Sequence, residues 1–217
     1  MTERVTISSS GQDAVLALPG GDRSAACVVV LQEWWGINAQ IQAVARRWAD
    51  AGFVAIVPDL YHGKVARNAD EAGALMKALD FPTAVREIAA AVEFVRSHPR
   101  STGKVAVTGY CLGGALSFAT AVEVRGLAAV VPFYGLPGAL AWSNVDEPIQ
   151  AHFARTDDWA TVAGAETIKS AVKVPMELHV YDAQHAFCNE LRSEVYDAAA
   201  CKLAWDRTVA FVRAHTD

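Results

Sequence analysis

Val105-Ala106-Val107-Thr108-Gly109-Tyr110-Cys111-Leu112-Gly113-Gly114 reads as an apolar, β-branched strand, a tight turn, and a helix that begins at about Gly113. One nucleophilic side chain, Cys111, sits at the apex, with a glycine two residues before it and another two residues after it. This is the G-x-Nuc-x-G spacing of a nucleophile elbow, with cysteine where serine is commoner. A nucleophile raised at the mouth of a sheet takes a strained backbone conformation, and its neighbours two residues away have no room for side chains. The turn also sets the backbone N–H of Leu112 at a helix N-terminus, where partial positive charge favours a thiolate or an oxyanion. Without the glycines, Cys111 would read as a small buried core residue.

Upstream, Ala26 to Leu31 is apolar without alternation, the pattern of a strand covered by helices on both faces. It runs into the bulky loop Gln32-Glu33-Trp34-Trp35-Gly36. Asn38 then reads as an N-cap, Ile41, Val44, Ala45 and Trp48 follow at helical spacing, and the helix runs to about Ala51 before Gly52. Residues 53–57 predict a second buried strand, and residues 4–8 and 14–18 an antiparallel edge hairpin. Residues 60–80 are the least regular stretch, weakly helical, and the place for a lid if there is one. Pro82 opens a helix with Val85, Ile88, Val92 and Val95 on one face. Further strands are expected over 127–133, 148–153 and 175–181, a helix over about 161–172, and a long last helix from about Glu194 to His215. Strands alternating with helices predict an α/β fold: a mostly parallel, doubly wound sheet flanked by helices, one domain over 1–217, with ligands at the carboxyl ends of the strands.

The residues that follow strand ends are Glu33 and Trp34, Cys111, Asp157 with Asp158, and His185. Nucleophile, acid, histidine is the chain order of the α/β-hydrolases and not of the chymotrypsin or subtilisin arrangement. A thiol attacks only once deprotonated, an imidazole carries a proton near neutral pH, and a carboxylate fixes the imidazole's tautomer. On these residues alone the acid is Asp157 or Asp158, both also placed to cap the next helix. Glu33 is a functional acid or a loop acid. His185 is set apart from His62, His98, His152, His179 and His215 by its place after the last strand. Trp34, Trp35, Tyr134 and Trp159 suit an apolar or aromatic acyl group, and suit core packing equally.

Nearly the whole chain resembles the dienelactone hydrolase (carboxymethylenebutenolidase) family. The resemblance lies in Gln32-Glu33-Trp34-Trp35-Gly36-Ile37-Asn38, Pro58-Asp59-Leu60-Tyr61, Gly109-Tyr110-Cys111-Leu112-Gly113-Gly114, His185-Ala186-Phe187 with Asn189, and Tyr196-Asp197-Ala198-Ala199. It implies an α/β-hydrolase fold with a minimal lid, no cofactor, and a Cys111-His185-Asp157 triad that opens lactones or cleaves esters through an acyl-thiol intermediate. It further implies that Glu33 holds the resting thiol and helps it ionise, and that the N–H groups of Trp34 and Leu112 form the oxyanion hole. Where the family shows a glycine three residues before the acid, this chain has Ala154. The arginines that hold the carboxylate of dienelactone are not in place: Asn189 stands four residues after His185, and Arg67 is the nearest arginine to the second position, occupied by Ala69. Candidate substrate-binding residues are therefore Trp35, Tyr134, Asn189 and Arg67. A general carboxylesterase or thioesterase, or a relative that binds ligand without turnover, are the alternatives, and the resemblance leans toward a monomer.

A length of 217 residues with 53% hydrophobic and 20% charged composition is enough for one large core. A net charge of −5, without a basic stripe, argues against nucleic acid and anionic membranes as partners and leaves a small molecule. Cys27, Cys111, Cys188 and Cys201 show no metal-ligand spacing and read as four reduced thiols of a cytoplasmic protein without a metal site, three of them inert. The N-terminus lacks the apolar run of a signal peptide.

Overall fold

Cys27 to Leu31 are wholly buried, as their unbroken apolar run requires, and they form the core of strand β3 (Ala25–Leu31). The computed structural model, which describes residues 2–217, builds a single sheet around this strand. The hairpin β1 (Thr2–Ile7) and β2 (Gln12–Ala17) lies at one edge. The others are β4 (Val54–Pro58), β5 (Ser101–Tyr110), β6 (Ala129–Phe133), β7 (Ile149–Thr156) and β8 (Met176–Gln184). The order is β1-β2-β4-β3-β5-β6-β7-β8, antiparallel through β1, β2 and β4 and parallel from β4 onward. This is the expected mostly parallel sheet. Its chain order reverses beside β3, so the loops after β3 and β5 open side by side, the usual location of a ligand crevice.

Six helices flank the sheet: α1 (Ala39–Asp50), α2 (Ala69–Ala78), α3 (Phe81–Arg96), α4 (Leu112–Glu123), α5 (Val162–Ala171) and α6 (Ala198–Thr216). Helices α1 and α6 meet through Trp48 and Trp205, whose rings lie 4.8 Å apart. Asn38 caps α1 by accepting the N–H of Ile41, and Gly52 closes it at φ +95°, as the sequence predicts. Residues 60–80 are more regular than expected, because Asn68 caps α2 and Asp80 caps α3. The last helix begins at Ala198, later than expected, because the Asp197 carboxylate accepts the N–H of Ala200 and its own N–H is tied to Phe187 O.

The expectation of four reduced thiols is overturned. Cys188 and Cys201 form a disulfide with Cα atoms 4.9 Å apart, and only Cys27 and Cys111 are free. The loop after β8 folds back onto the first turn of α6, which brings together two cysteines separated by 13 positions and so not recognisable as a motif. The thiol argument for a cytoplasmic protein falls with it. Cys27 is buried, its thiol donates to Ser101 Oγ at 3.1 Å, and desolvation pushes its pKa up to about 11, as befits an inert core residue. Among the described residues, no helix is long and apolar enough to cross a membrane.

Candidate active site

Strand β5 ends at Tyr110, and α4 starts at Leu112, so Cys111 is the single residue of the turn. Its φ of 54° and ψ of −112° place a residue with a side chain where few are found, at a cost of about 1–3 kcal/mol. The crossing of α4 over the end of β3 makes this turn tight. A Cβ on Gly113 would lie 2.7 Å from Gln32 O and closer still to Leu31 O, while one on Gly109 would run into the backbone of Gly113. Both glycines are therefore required by backbone approach.

Three side chains from three strand ends form a hydrogen-bonded line. His185 Nε2 lies 3.2 Å from Cys111 Sγ, and His185 Nδ1 lies 2.6 Å from Asp157 Oδ2. Asp157 directly follows β7, and its other oxygen, Oδ1, accepts the N–H groups of Trp159 at 2.9 Å and Ala160 at 2.8 Å. Burial acts to raise the Asp157 pKa, but the bonds from His185 and the backbone N–H of Ala160 outweigh it and hold the carboxyl below its usual range. An ionised Asp157 keeps the ring proton on Nδ1, which leaves Nε2 to accept from the thiol. Asp158, the other half of the doublet, is exposed and takes no part in the line.

Burial drives the Cys111 thiol up to about 12, reinforced by the negative charge of Glu33 and opposed by the backbone N–H groups of Leu112 and Trp34. Both N–H groups favour a negative charge at Cys111.

Glu33 is 6% exposed and makes no hydrogen bond to the thiol: Oε2 accepts from Asn189 Nδ2 at 2.5 Å, and Oε1 from the Tyr134 hydroxyl at 3.3 Å. Burial raises its pKa, countered by Asn189 and then by the charge of His185. This corrects the expected contact of Glu33 with the resting thiol, which is bonded to His185 instead. It also corrects two substrate-binding candidates: Tyr134 and Asn189 are buried, at 0% and 1% exposure, and face the protein. Arg67 is exposed and pairs with Glu71 of α2 through a bidentate bond, while the N–H of its neighbour Ala66 donates to Trp35 O at 2.9 Å. Trp35 lies edge-on to Trp34 with ring centres 5.2 Å apart. Trp159 is 68% exposed, its ring 6.0 Å from Trp34 and 5.4 Å from the His185 ring. The sequence reading passed over Arg192, whose charge acts on Glu33; its only signal was its place in the loop that carries His185 and Asn189.

A mostly parallel sheet with a nucleophile turn after β5, an acid after β7 and a histidine after β8 defines an α/β-hydrolase. Within that class, the model of the dienelactone hydrolase family matches residues 12–216, and the chain belongs to this family. Protein usf of Aquifex pyrophilus is 39% identical over 86% of this chain and 87% of its own. Carboxymethylenebutenolidase 1 of Cupriavidus pinatubonensis is 32% identical over 94% of this chain and 93% of its own. Two solved structures share the fold at lower identity. A dienelactone hydrolase-like promiscuous phosphotriesterase from metagenomic libraries matches with a TM-score of 0.88 and 22% identity, covering 100% of this chain and 98% of its own. The dienelactone hydrolase of Anabaena variabilis matches at 0.76 and 18%, with the same coverage.

Proposed function

We propose that this chain is a cysteine hydrolase that opens lactones or cleaves activated esters through an acyl-thiol intermediate, with Cys111, His185 and Asp157 as its triad. The observation that supports this most directly is the unbroken line from Sγ through the imidazole to the Asp157 carboxylate, at 3.2 Å and 2.6 Å. In this reading His185 Nε2 takes the thiol proton as Sγ bonds to the carbonyl carbon, and the carbonyl oxygen becomes an oxyanion held by the N–H groups of Trp34 and Leu112. Collapse breaks the C–O bond to the leaving group, and the departing alkoxide takes the proton from Nε2. A water molecule then gives its proton to Nε2 and attacks the thioester, and the thiolate leaves and regains the proton. In a lactone the alcohol stays tethered to the acyl group until the thioester is hydrolysed. The Asp157 carboxylate steadies the imidazolium formed in each half.

Glu33 is assigned electrostatic support of the imidazolium that forms on His185, while its charge opposes the thiolate itself. Trp34, Trp35 and Trp159 form an apolar rim suited to a flat acyl or leaving group. The reading is that of one hydrolase domain acting on a small molecule without a cofactor. Its first test is the release of phenolate from aryl esters and the ring opening of cis- and trans-dienelactone, followed by absorbance, for wild-type and Cys111→Ala proteins. Turnover by wild type alone supports the reading. Equal turnover by both proteins contradicts it, and tight binding of an ester that is never hydrolysed would point to a ligand-binding relative.

A further inference from the structure

Both polar atoms of the Asn189 side chain are engaged inside the protein. Nδ2 donates to Glu33 Oε2, and Oδ1 accepts the N–H of Leu191 at 3.0 Å. The Tyr134 hydroxyl donates to the other oxygen, Glu33 Oε1, and its ring meets His185 edge-on with centres 5.3 Å apart. Its backbone φ of 32° lies in the left-handed region, so the turn after β6 is held in an uncommon conformation to deliver this side chain. The Glu33 carboxyl is thereby fastened at both oxygens by neutral donors. The other titratable or charged groups that act on it are Cys111 and Tyr110 at the end of β5, and His185 and Arg192 in the loop after β8.

Resting on the cysteine-hydrolase reading, we propose that Asn189 and Tyr134 are positioning residues. They fix the Glu33 carboxyl beside Cys111 through neutral donors, and leave no cation in the clamp for an acidic substrate, so the site takes esters and lactones without a carboxylate. A cationic side chain at position 189 could exchange between Glu33 and a substrate carboxylate. A buried amide committed at both ends cannot. A substrate carboxylate brought next to Glu33 would instead set two negative charges in one poorly solvated pocket, which disfavours the ionised pair. The clamp also acts on Glu33 itself, because each donated hydrogen bond favours its charged form against burial.

The test measures kcat and KM against pH for wild type, Asn189→Leu, Asn189→Gln and Tyr134→Phe. The substrates are two aryl esters that differ only by a carboxylate on the acyl chain. Wild type is expected to favour the neutral ester at least tenfold in kcat/KM. Removing a donor to Glu33 is expected to move the acidic limb of the neutral-ester profile to higher pH, further in Asn189→Leu than in Tyr134→Phe, with KM little changed. Asn189→Gln, which keeps the amide, is expected to restore part of the shift. A wild type that prefers the acidic ester overturns the inference, and so does a limb that stays in place while only the plateau falls. If Asn189→Leu fails to fold, Tyr134→Phe, which removes a single oxygen, carries the test. Turnover retained by Cys111→Ala would instead remove the nucleophile reading itself.

Discussion

Gly113→Ala adds one methyl group at the place where α4 crosses the end of β3. The new Cβ would lie 2.7 Å from Gln32 O and from the Leu31 carbonyl carbon, and nearer still to Leu31 O, all below the 3.0 Å that real Cβ contacts respect. Every one of these atoms is backbone, so no side chain can swing aside, and either α4 or the loop after β3 must retreat by several tenths of an ångström. Overpacking of this kind costs about 1–3 kcal/mol. The same displacement separates the N–H of Trp34, carried by the β3 loop, from the N–H of Leu112, carried by α4. Loss of one oxyanion donor lowers kcat by about 100–1,000-fold, which is the effect expected here. Gly73→Ala is the matched control, because a Cβ at that position in α2 meets nothing within 4 Å. In a helix interior that exchange stabilises by up to about 1 kcal/mol. Urea unfolding and aryl-ester hydrolysis on the two variants should move in opposite directions for stability, with activity lost only in Gly113→Ala. A Gly113→Ala protein that unfolds at the wild-type urea concentration and keeps its kcat would refute the steric account of the elbow.

Three further outcomes follow from the same geometry. Asp157→Asn keeps the shape but releases the proton from Nδ1 and adds a donor facing it, so kcat is expected to fall by about 1,000–10,000-fold with little change in KM, as measured by initial rates. Burial raises the folded pKa of Glu33 above its unfolded value, so its ionisation weakens the fold as pH rises above about 4.3. Glu33→Gln, which can still accept from Asn189, should therefore unfold at a higher temperature than wild type at pH 7, with the gain vanishing below about pH 4. The same variant removes the charge that favours the His185 imidazolium, so its kcat is expected to fall, as measured by initial rates. Cys201→Ser opens the loop closed by the disulfide to Cys188, and the chain-entropy relation assigns such a loop about 3 kcal/mol, read as a lowered melting temperature. Wild type treated with a thiol reductant should match it, whereas an unchanged melting temperature in both would argue against the disulfide.

The sheet was legible because its central strands are apolar on both faces, and because caps such as Asn38 and stops such as Gly52 state their roles locally. The line of Cys111, Asp157 and His185 was legible for a different reason: in a parallel sheet, residues that follow strand ends gather at one edge, whatever their separation in sequence. Helix α2 was faint because it buries only Ala72 and so carries no apolar stripe. The direction of Asn189 could not be read from its spacing to His185. It is set by a turn in which Ala186 adopts a φ of 65° and its carbonyl accepts the N–H of Asn189, which points the amide inward to Glu33. The Cys188–Cys201 pair was hidden because it depends on how the same loop returns to α6. The partner of Arg67 was also hidden, since Glu71 comes within reach only once α2 forms.

The most direct test of the account is intact-protein and peptide mass spectrometry of enzyme quenched in acid during turnover of an aryl ester. The account predicts an adduct with the mass of the acyl group on the peptide that carries Cys111, absent from Cys111→Ala and accumulating when deacylation is slowed. Steady turnover by wild type with no adduct at Cys111, together with turnover retained in Cys111→Ala, would contradict it.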